Sequence, residues 1–284
     1  MVRGVALKVA ACVAVLSLLA LSSPAARAGE QTNAPEGKDA VMKALQGLQK
    51  EVKSYTASGK STVTFGDRTF EQTLSLVAKA PGMYKETATS ERQGTQVERV
   101  TTCDGKTVWL PAGRQGQISR IDRAAVAKAL DIDMKDLYLP RDPVDLANPF
   151  LALNADTIKY DGTQKMDDAD VYVFEGLSKW PVRQRGQTEP FWPRQKFMIS
   201  AKDGLLRSAT TYNSEGAESR VVTYADIKVN APVEDSVFAF KPAEGAAVED
   251  ATQATIDQMK AAMEAAKKAA EAAAQKPEAP ATQQ

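Results

Sequence analysis

The side chains that can do chemistry in this chain of 284 residues are acids, lysines, hydroxyls and two thiols, because it contains no histidine. That absence removes the Ser-His-Asp and Cys-His triads, the imidazole base and any His-ligated metal. Two cysteines, Cys12 and Cys103, are too few for a thiolate zinc site or an iron-sulfur cluster. Asp161, Asp167, Asp168 and Asp170 gather acids, but lack the Asp-x-Asp-x-Asp-Gly spacing of a calcium loop and are expected to form a charged turn. Asp131-Ile132-Asp133 fails the same test. The sequence therefore calls for no catalytic residue, no metal and no cofactor. One basic stretch stands out: Gly176 to Thr188 carries Lys179, Arg183 and Arg185 without an acid, beside Trp180, and Phe191-Trp192-Pro193-Arg194 follows. It can touch an anionic headgroup or a partner protein, or be a solvated hairpin loop.

The first residues bear on compartment. Arg3 and Lys8 precede an apolar run from Val9 to Leu21, and Ala26-Arg27-Ala28 offers a small-residue cleavage site. Residues 1–28 read as a secretory signal peptide; the run is short for a bilayer span, so no stable transmembrane anchor is expected. Val9-Ala10-Ala11-Cys12 lacks the preceding hydrophobic segment of a lipidation box. The chain has 36 basic and 36 acidic residues; cleavage removes Arg3, Lys8 and Arg27 and no acid, for a net charge of −3. That is not a nucleic-acid balance. Cys103 alone remains, so an exported form would have no internal disulfide, would be periplasmic, and would rest on its hydrophobic core.

The elements follow from periodicity. After a leader over 29–38, Val41, Leu45, Leu48 and Val52 lie on one face of a helix running from Asp39 to Lys53. The period then becomes two. Phe70, Leu74, Leu76 and Ala78 share one face, and Val63 and Phe65 join them across a turn at Gly66-Asp67-Arg68. Further strands are expected over Met83 to Thr89, Val97 to Cys103, Thr107 to Leu110 and Gln117 to Ile121, as an antiparallel meander. A short helix over Asp122 to Leu130 leads into two apolar stretches, Leu137-Tyr138-Leu139 and Leu146 to Leu151, broken by Pro140, Pro143 and Pro149. Strands return at Thr157 to Tyr160, Val171 to Leu177, Gln195 to Ser200, Leu205 to Tyr212 and Arg220 to Val229, with turns at Asp161-Gly162, Asp203-Gly204 and Glu215-Gly216. Residues 251–284 form an Ala-rich tail, helical over Asp250 to Ala274 as a frayed or docking helix, then disordered.

Four segments in order resemble the periplasmic outer-membrane lipoprotein carriers of the LolA-like superfamily. They are Lys79-Ala80-Pro81-Gly82-Met83-Tyr84-Lys85-Glu86, Asp104-Gly105-Lys106-Thr107-Val108-Trp109-Leu110-Pro111, Asp203-Gly204-Leu205-Leu206 leading to Thr211-Tyr212-Asn213-Ser214-Glu215-Gly216, and Asp235 to Ala246 with its Phe238-Ala239-Phe240-Lys241-Pro242. The likeness spans residues 39–250. It implies a mainly β (α+β) fold, an unclosed antiparallel half-barrel of about ten strands with an N-terminal helix and a short helical lid over a cavity for acyl chains. Lys241-Pro242 stands where the family has Pro-Pro. The arginine that holds the family's lid closed has only regional candidates, Arg68 and Arg92. The insertion from Ser178 to Gln195 and the tail have no clear counterpart.

Alternation assigns Val63, Phe65, Phe70, Leu74, Leu76, Trp109, Phe174, Phe197, Ile199 and Leu205 to the inward face. They form either a dry core against the first helix or, as the resemblance implies, an acyl-binding cavity. Leu137, Leu139, Leu146 and Phe150 form either an opening lid or a permanent cover. The expected function is a non-enzymatic carrier of lipid acyl chains or lipoproteins, working with inner- or outer-membrane sorting proteins. The alternative is an envelope-stress sensor or regulatory protein-interaction module on the same fold. Cys103, in a strand without an activating partner, is expected to be inert.

Overall fold

The computed structural model describes residues 37–111, 117–182 and 190–274. Its frame is one sheet. Strands β1 (Ser54–Phe65), β2 (Arg68–Lys79), β3 (Met83–Arg92), β4 (Thr95–Asp104), β5 (Thr107–Pro111) and β6 (Gln117–Asp122) follow helix α1 (Lys38–Lys50). Helix α2 (Arg123–Leu130) and a Pro-rich central segment lead to β7 (Lys159–Met166), β8 (Ala169–Leu177), β9 (Arg194–Ser200), β10 (Leu206–Tyr212) and β11 (Glu218–Val229). The chain ends in β12 (Ala247–Asp250) and helix α3 (Thr252–Ala274). The sheet order is β12-β6-β5-β4-β3-β2-β1-β11-β10-β9-β8-β7, so two consecutive meanders join where β1 pairs with β11. β12 and β7 stand at opposite edges, and the half-barrel is unclosed.

Local rules explain most of this. Phe65 pairs with Arg68 across the two-residue turn Gly66–Asp67, which fixes the β1–β2 register at Val63↔Phe70, Gly59↔Leu74 and Ala57↔Leu76. Gln93 and Gly94 both take positive φ between β3 and β4, as a tight hairpin requires. One turn falls elsewhere than expected. Strand β7 runs straight through Asp161-Gly162, with a register shift between Tyr160 and Thr163, and the reversal occurs at Asp167 and Asp168, both at positive φ. Gly162 (φ 90) supplies an irregularity inside the strand rather than its end. Asp170 pairs with Lys165 across this hairpin at 3.0 Å.

The concave face carries the main core. Val41 and Leu45 of α1 are fully buried against it, and α1 is seated on the β9–β10 turn by a Gln49 Nε2 hydrogen bond to the Gly204 carbonyl (2.9 Å). The convex face has its own cover. Residues Asp235–Phe238 form a 3-10 turn whose Phe238 carbonyl accepts from the buried Thr102 hydroxyl at 3.1 Å. Beside it Trp109 stacks on Phe240, with ring centroids 5.3 Å apart. Trp109 thus faces outward, while Val108 and Leu110 face the core. The expectation of an inward tryptophan fails because the segment after β11 returns across the outer surface, giving a bulky residue there something to bury against. The segment just before the tail also differs from expectation: Ala247–Asp250 adds a parallel strand to β6.

Candidate functional site

Residues 131–158 cross the open mouth of the half-barrel, and buried polar contacts hold them down. Asp131 ends α2 in the left-handed conformation (φ 54), turning the chain back over the concave face. Arg123, at the first position of α2, is 5% exposed. It donates Nη1–H to Asp142 (2.7 Å) and Nη2–H to the Leu137 carbonyl (2.9 Å). Asp142 also accepts from the Tyr84 hydroxyl (2.6 Å) and the Leu139 amide (3.0 Å). Burial pulls the Arg123 guanidinium down, but Asp142, Cys103 and Tyr84 together outweigh it and the net shift is upward. Burial, reinforced by Asp142, holds the Tyr84 phenol well above its ordinary value.

A second pin repeats the chemistry. The Tyr55 hydroxyl donates to Asp145 (2.9 Å) and accepts from the Leu146 amide (3.0 Å), while the Leu146 carbonyl accepts from the Leu206 amide (3.0 Å). Asp145 itself is exposed, and its carboxylate also accepts from the Ala147 amide (2.9 Å). Tyrosines of β1 and β3 therefore each grip one aspartate of the central segment. Arg68 is exposed beside the β1–β2 turn, and the arginine that grips the cover is Arg123.

Between this cover and the sheet lies a cavity of about 950 Å³, near the upper end of the volumes that hold small molecules. From the sheet it is lined by Glu86, Gln195, Ala209, Thr211, Arg220, Val222 and Tyr224, and from the cover by Tyr138 and Pro140–Val144. Glu86 lies on β3 and Gln195 on β9, five strand steps apart, which in a flat sheet would be about 24 Å. Their meeting at one cavity is the measure of the sheet's curvature. Two further walls were not expected. Trp180, 7% exposed, donates its indole N–H to the Tyr138 carbonyl at 2.7 Å. Pro181, Val182, Pro190 and Pro193 continue that wall. The described part of the insertion is thus docked on the cover rather than solvated; Arg183 and Arg185 lie outside the described residues. Lys179 reaches the Asp136 carbonyl at 3.2 Å, and burial lowers its ammonium, with Asp136 opposing.

Helix α3 forms the last wall through Met259, Ala262 and Ala265. It lies against α2 and β6, and its start is anchored by Asp250, which accepts from the Thr252 amide (3.0 Å) and pairs with Arg120. Hydrogen bonds from Thr252 and Arg120 hold the Asp250 carboxyl down at about 2. The alanines keep this wall thin, so the helix encloses space without filling it.

None of the ten residues assigned inward lines this cavity. Leu74, Leu76, Phe174, Phe197, Ile199 and Leu205 are buried in the packed core beneath α1 and the cover. Phe174 meets Phe150 edge-on, with ring centroids 5.0 Å apart. Val63 is half-buried; Phe65 and Phe70 are 68% and 46% exposed and pack edge-on against each other near the hairpin tip. Leu137, Leu139 and Leu146 of the cover are almost fully buried in the core, and the cover's cavity-facing residues are Tyr138 and Pro140–Val144. The sheet residues among them other than Trp109 lie on the concave face, and alternation does not divide that face into packed and unpacked zones. The cavity residues it missed, Glu86, Arg220 and Tyr224, are polar in character yet keep the inward parity of their strands.

Among the described residues, no helix is long and apolar enough to cross a membrane. No protein-family model and no curated protein matches the chain. Solved structures do. An uncharacterized conserved protein of Thermus thermophilus is 10% identical, with 74% of this chain and 96% of that one covered at a TM-score of 0.44. A LolA superfamily protein of Nitrosomonas europaea is 12% identical, with 71% and 97% covered and a TM-score of 0.35. The Pseudomonas aeruginosa MucA/MucB complex matches at 10% identity over 70% of this chain and 60% of that one, at a TM-score of 0.33. The assignment of this chain to an open antiparallel half-barrel stands on the strand order and register themselves.

Proposed function

We propose that the protein is a non-catalytic carrier that shields an acyl chain in the cavity beneath the cover, taking up and releasing its cargo in the periplasm as part of lipid or lipoprotein sorting. One observation carries this: about 950 Å³ is left unpacked between the sheet, the Pro-broken cover, the docked insertion and α3. That volume holds about thirty groups the size of a water molecule. Because each buried methylene contributes about 0.8 kcal/mol, a chain of about a dozen carbons supplies ample affinity. The secretory character of residues 1–28, which lie outside the described residues, supports the compartment.

The test is lipid extraction and mass spectrometry after mild purification, with displacement of a fluorescent acyl probe. Wild type is expected to carry lipid and bind the probe, and Ala265→Trp, which fills the cavity from α3, to lose both while keeping its thermal stability. Absence of lipid and probe binding in wild type sinks the carrier reading. A second reading, a regulatory module that docks envelope proteins, is supported by the exposed Phe65–Phe70 pair. It requires that Phe65→Ser with Phe70→Ser abolish partner capture and leave probe binding intact.

A further inference from the structure

The walls of the cavity are not held alike. The cover is tied down through Asp142 to Arg123 and Tyr84, and through Asp145 to Tyr55. The insertion is tied to the cover by the Trp180 indole, and to Ala152 by the Lys179 amide (2.8 Å). Helix α3 is fixed only at its base. There the Ala251 amide donates to the Arg120 carbonyl (2.9 Å), and the Thr252 hydroxyl accepts from the Asp122 amide (3.0 Å). Beyond Thr252, the side-chain hydrogen bonds and ion pairs of α3 among the described residues stay within residues 251–274. Thr255 bonds Ala251, Gln253 bonds Asp257, and Lys267 pairs with Glu271. Apolar contact must hold the rest of the helix, and among its described residues only Thr255, Ile256, Met259 and Ala262 are buried. A second cavity, of about 260 Å³, lies under Ala254 and Thr255 on the side of Leu110 and Ile121, and Gln258 lines both spaces. The first turns of α3 therefore stand over the smaller cavity and its middle turns over the larger.

An element with an anchored base, few buried side chains and unfilled space beneath it opens before its better-tied neighbours do. We propose that α3 is the door of the cavity: it swings about Ala251–Thr252 to admit and release cargo while the cover stays in place. The strand β12 holds the hinge to β6 through its four-residue parallel pairing, so the helix can lift without unpairing the sheet. The buried polar pins then serve to keep the cover still, and the small, apolar contact face of α3 sets how often the cavity opens. The assignment rests on the acyl-chain reading of the cavity and adds how that site is gated.

The experiment is stopped-flow uptake and release of a fluorescent polyene fatty acid by the mature chain, stripped of bound lipid. The contact is loosened at Ile256, which is 6% exposed and lines neither cavity. A door that is mostly shut multiplies both rates by the same opening constant, so loosening it speeds uptake and release equally and leaves Kd unchanged. Ile256→Val is expected to raise both rates about fivefold and Ile256→Ala about thirtyfold, the usual costs of those truncations in a packed site read as opening constants. Kd is expected to stay within about twofold in both. The milder variant keeps the test in force if Ile256→Ala does not fold. Tyr55→Phe, which loosens the cover instead, supplies the competing outcome. Acceleration by Tyr55→Phe without acceleration by the Ile256 variants makes the cover the door and overturns the proposal. Unchanged rates in the Ile256 variants, or a change in Kd through one rate alone, overturn it as well and leave the cavity reading standing. Failure of wild type to bind the fatty acid overturns the cavity reading itself.

Discussion

Replacing Arg123 by methionine tests whether the cover is pinned as its geometry implies. Both side chains of the Arg123–Asp142 pair are 6% exposed, and the pair is 2.7 Å apart. Methionine keeps the apolar stem but leaves Asp142 a buried carboxylate whose remaining donors, the Tyr84 hydroxyl and Leu139 amide, carry no charge. Breaking a buried pair from one side costs about 3–5 kcal/mol. In a domain of this size that is a fall of roughly 10 °C or more in Tm, against a total stability of about 5–15 kcal/mol. The variant should therefore fold at room temperature yet melt early. Hydrogen exchange of the amides from Leu137 to Ala147 should accelerate ahead of the rest, because Arg123 also holds the Leu137 carbonyl. The double variant Arg123→Met with Asp142→Leu removes the stranded charge, and is expected to recover much of the loss, since apolar replacement of a buried pair is often near neutral. Thermal and urea denaturation of the four members of this cycle give the coupling. A single-variant cost under about 1 kcal/mol, or no recovery in the double variant, would refute the reasoning.

Two glycines should respond oppositely to alanine. A Cβ on Gly59 would stand 2.8 Å from the Thr223 carbonyl oxygen and 3.2 Å from the Tyr224 ring, so Gly59→Ala is expected to cost about 1–3 kcal/mol by urea denaturation. Gly47 in α1 has nothing within 4 Å, and Gly47→Ala is expected to add about 0.5–1 kcal/mol; equal signs for the two would contradict the packing at the β1–β11 seam. Cys103 is fully buried, and burial pushes its thiol up to about 12. It should resist thiol reagents at neutral pH and react once urea unfolds the chain. Its raised value means that the stability it contributes is intact below the free-thiol value of about 8.5 and is lost as pH climbs through about 12. Rapid labelling of the native protein at neutral pH would contradict the burial.

What the sequence determined by itself are the features encoded by neighbours. The alternation in Phe70 to Ala78, the four-three-four spacing of α1 and the turn dipeptides placed nearly all the strands, because hairpin register depends on a few residues around each turn. The same local signals misplaced the β7–β8 reversal, which falls at Asp167 and Asp168 rather than at Asp161-Gly162. Only the tertiary structure decided the pairing of β1 with β11, the parallel addition of β12 to β6, and the outer cover that turns Trp109 away from the core. These contacts join residues far apart in the chain, and no short-range periodicity records them. The cavity lay furthest out of reach, because it is a place where packing stops. A run of inward side chains reads alike whether its neighbours touch it, as they do at Phe174, or stand back, as they do at Arg220. The distance to the opposite wall, set here by the cover and by the thin alanine face of α3, separates the two.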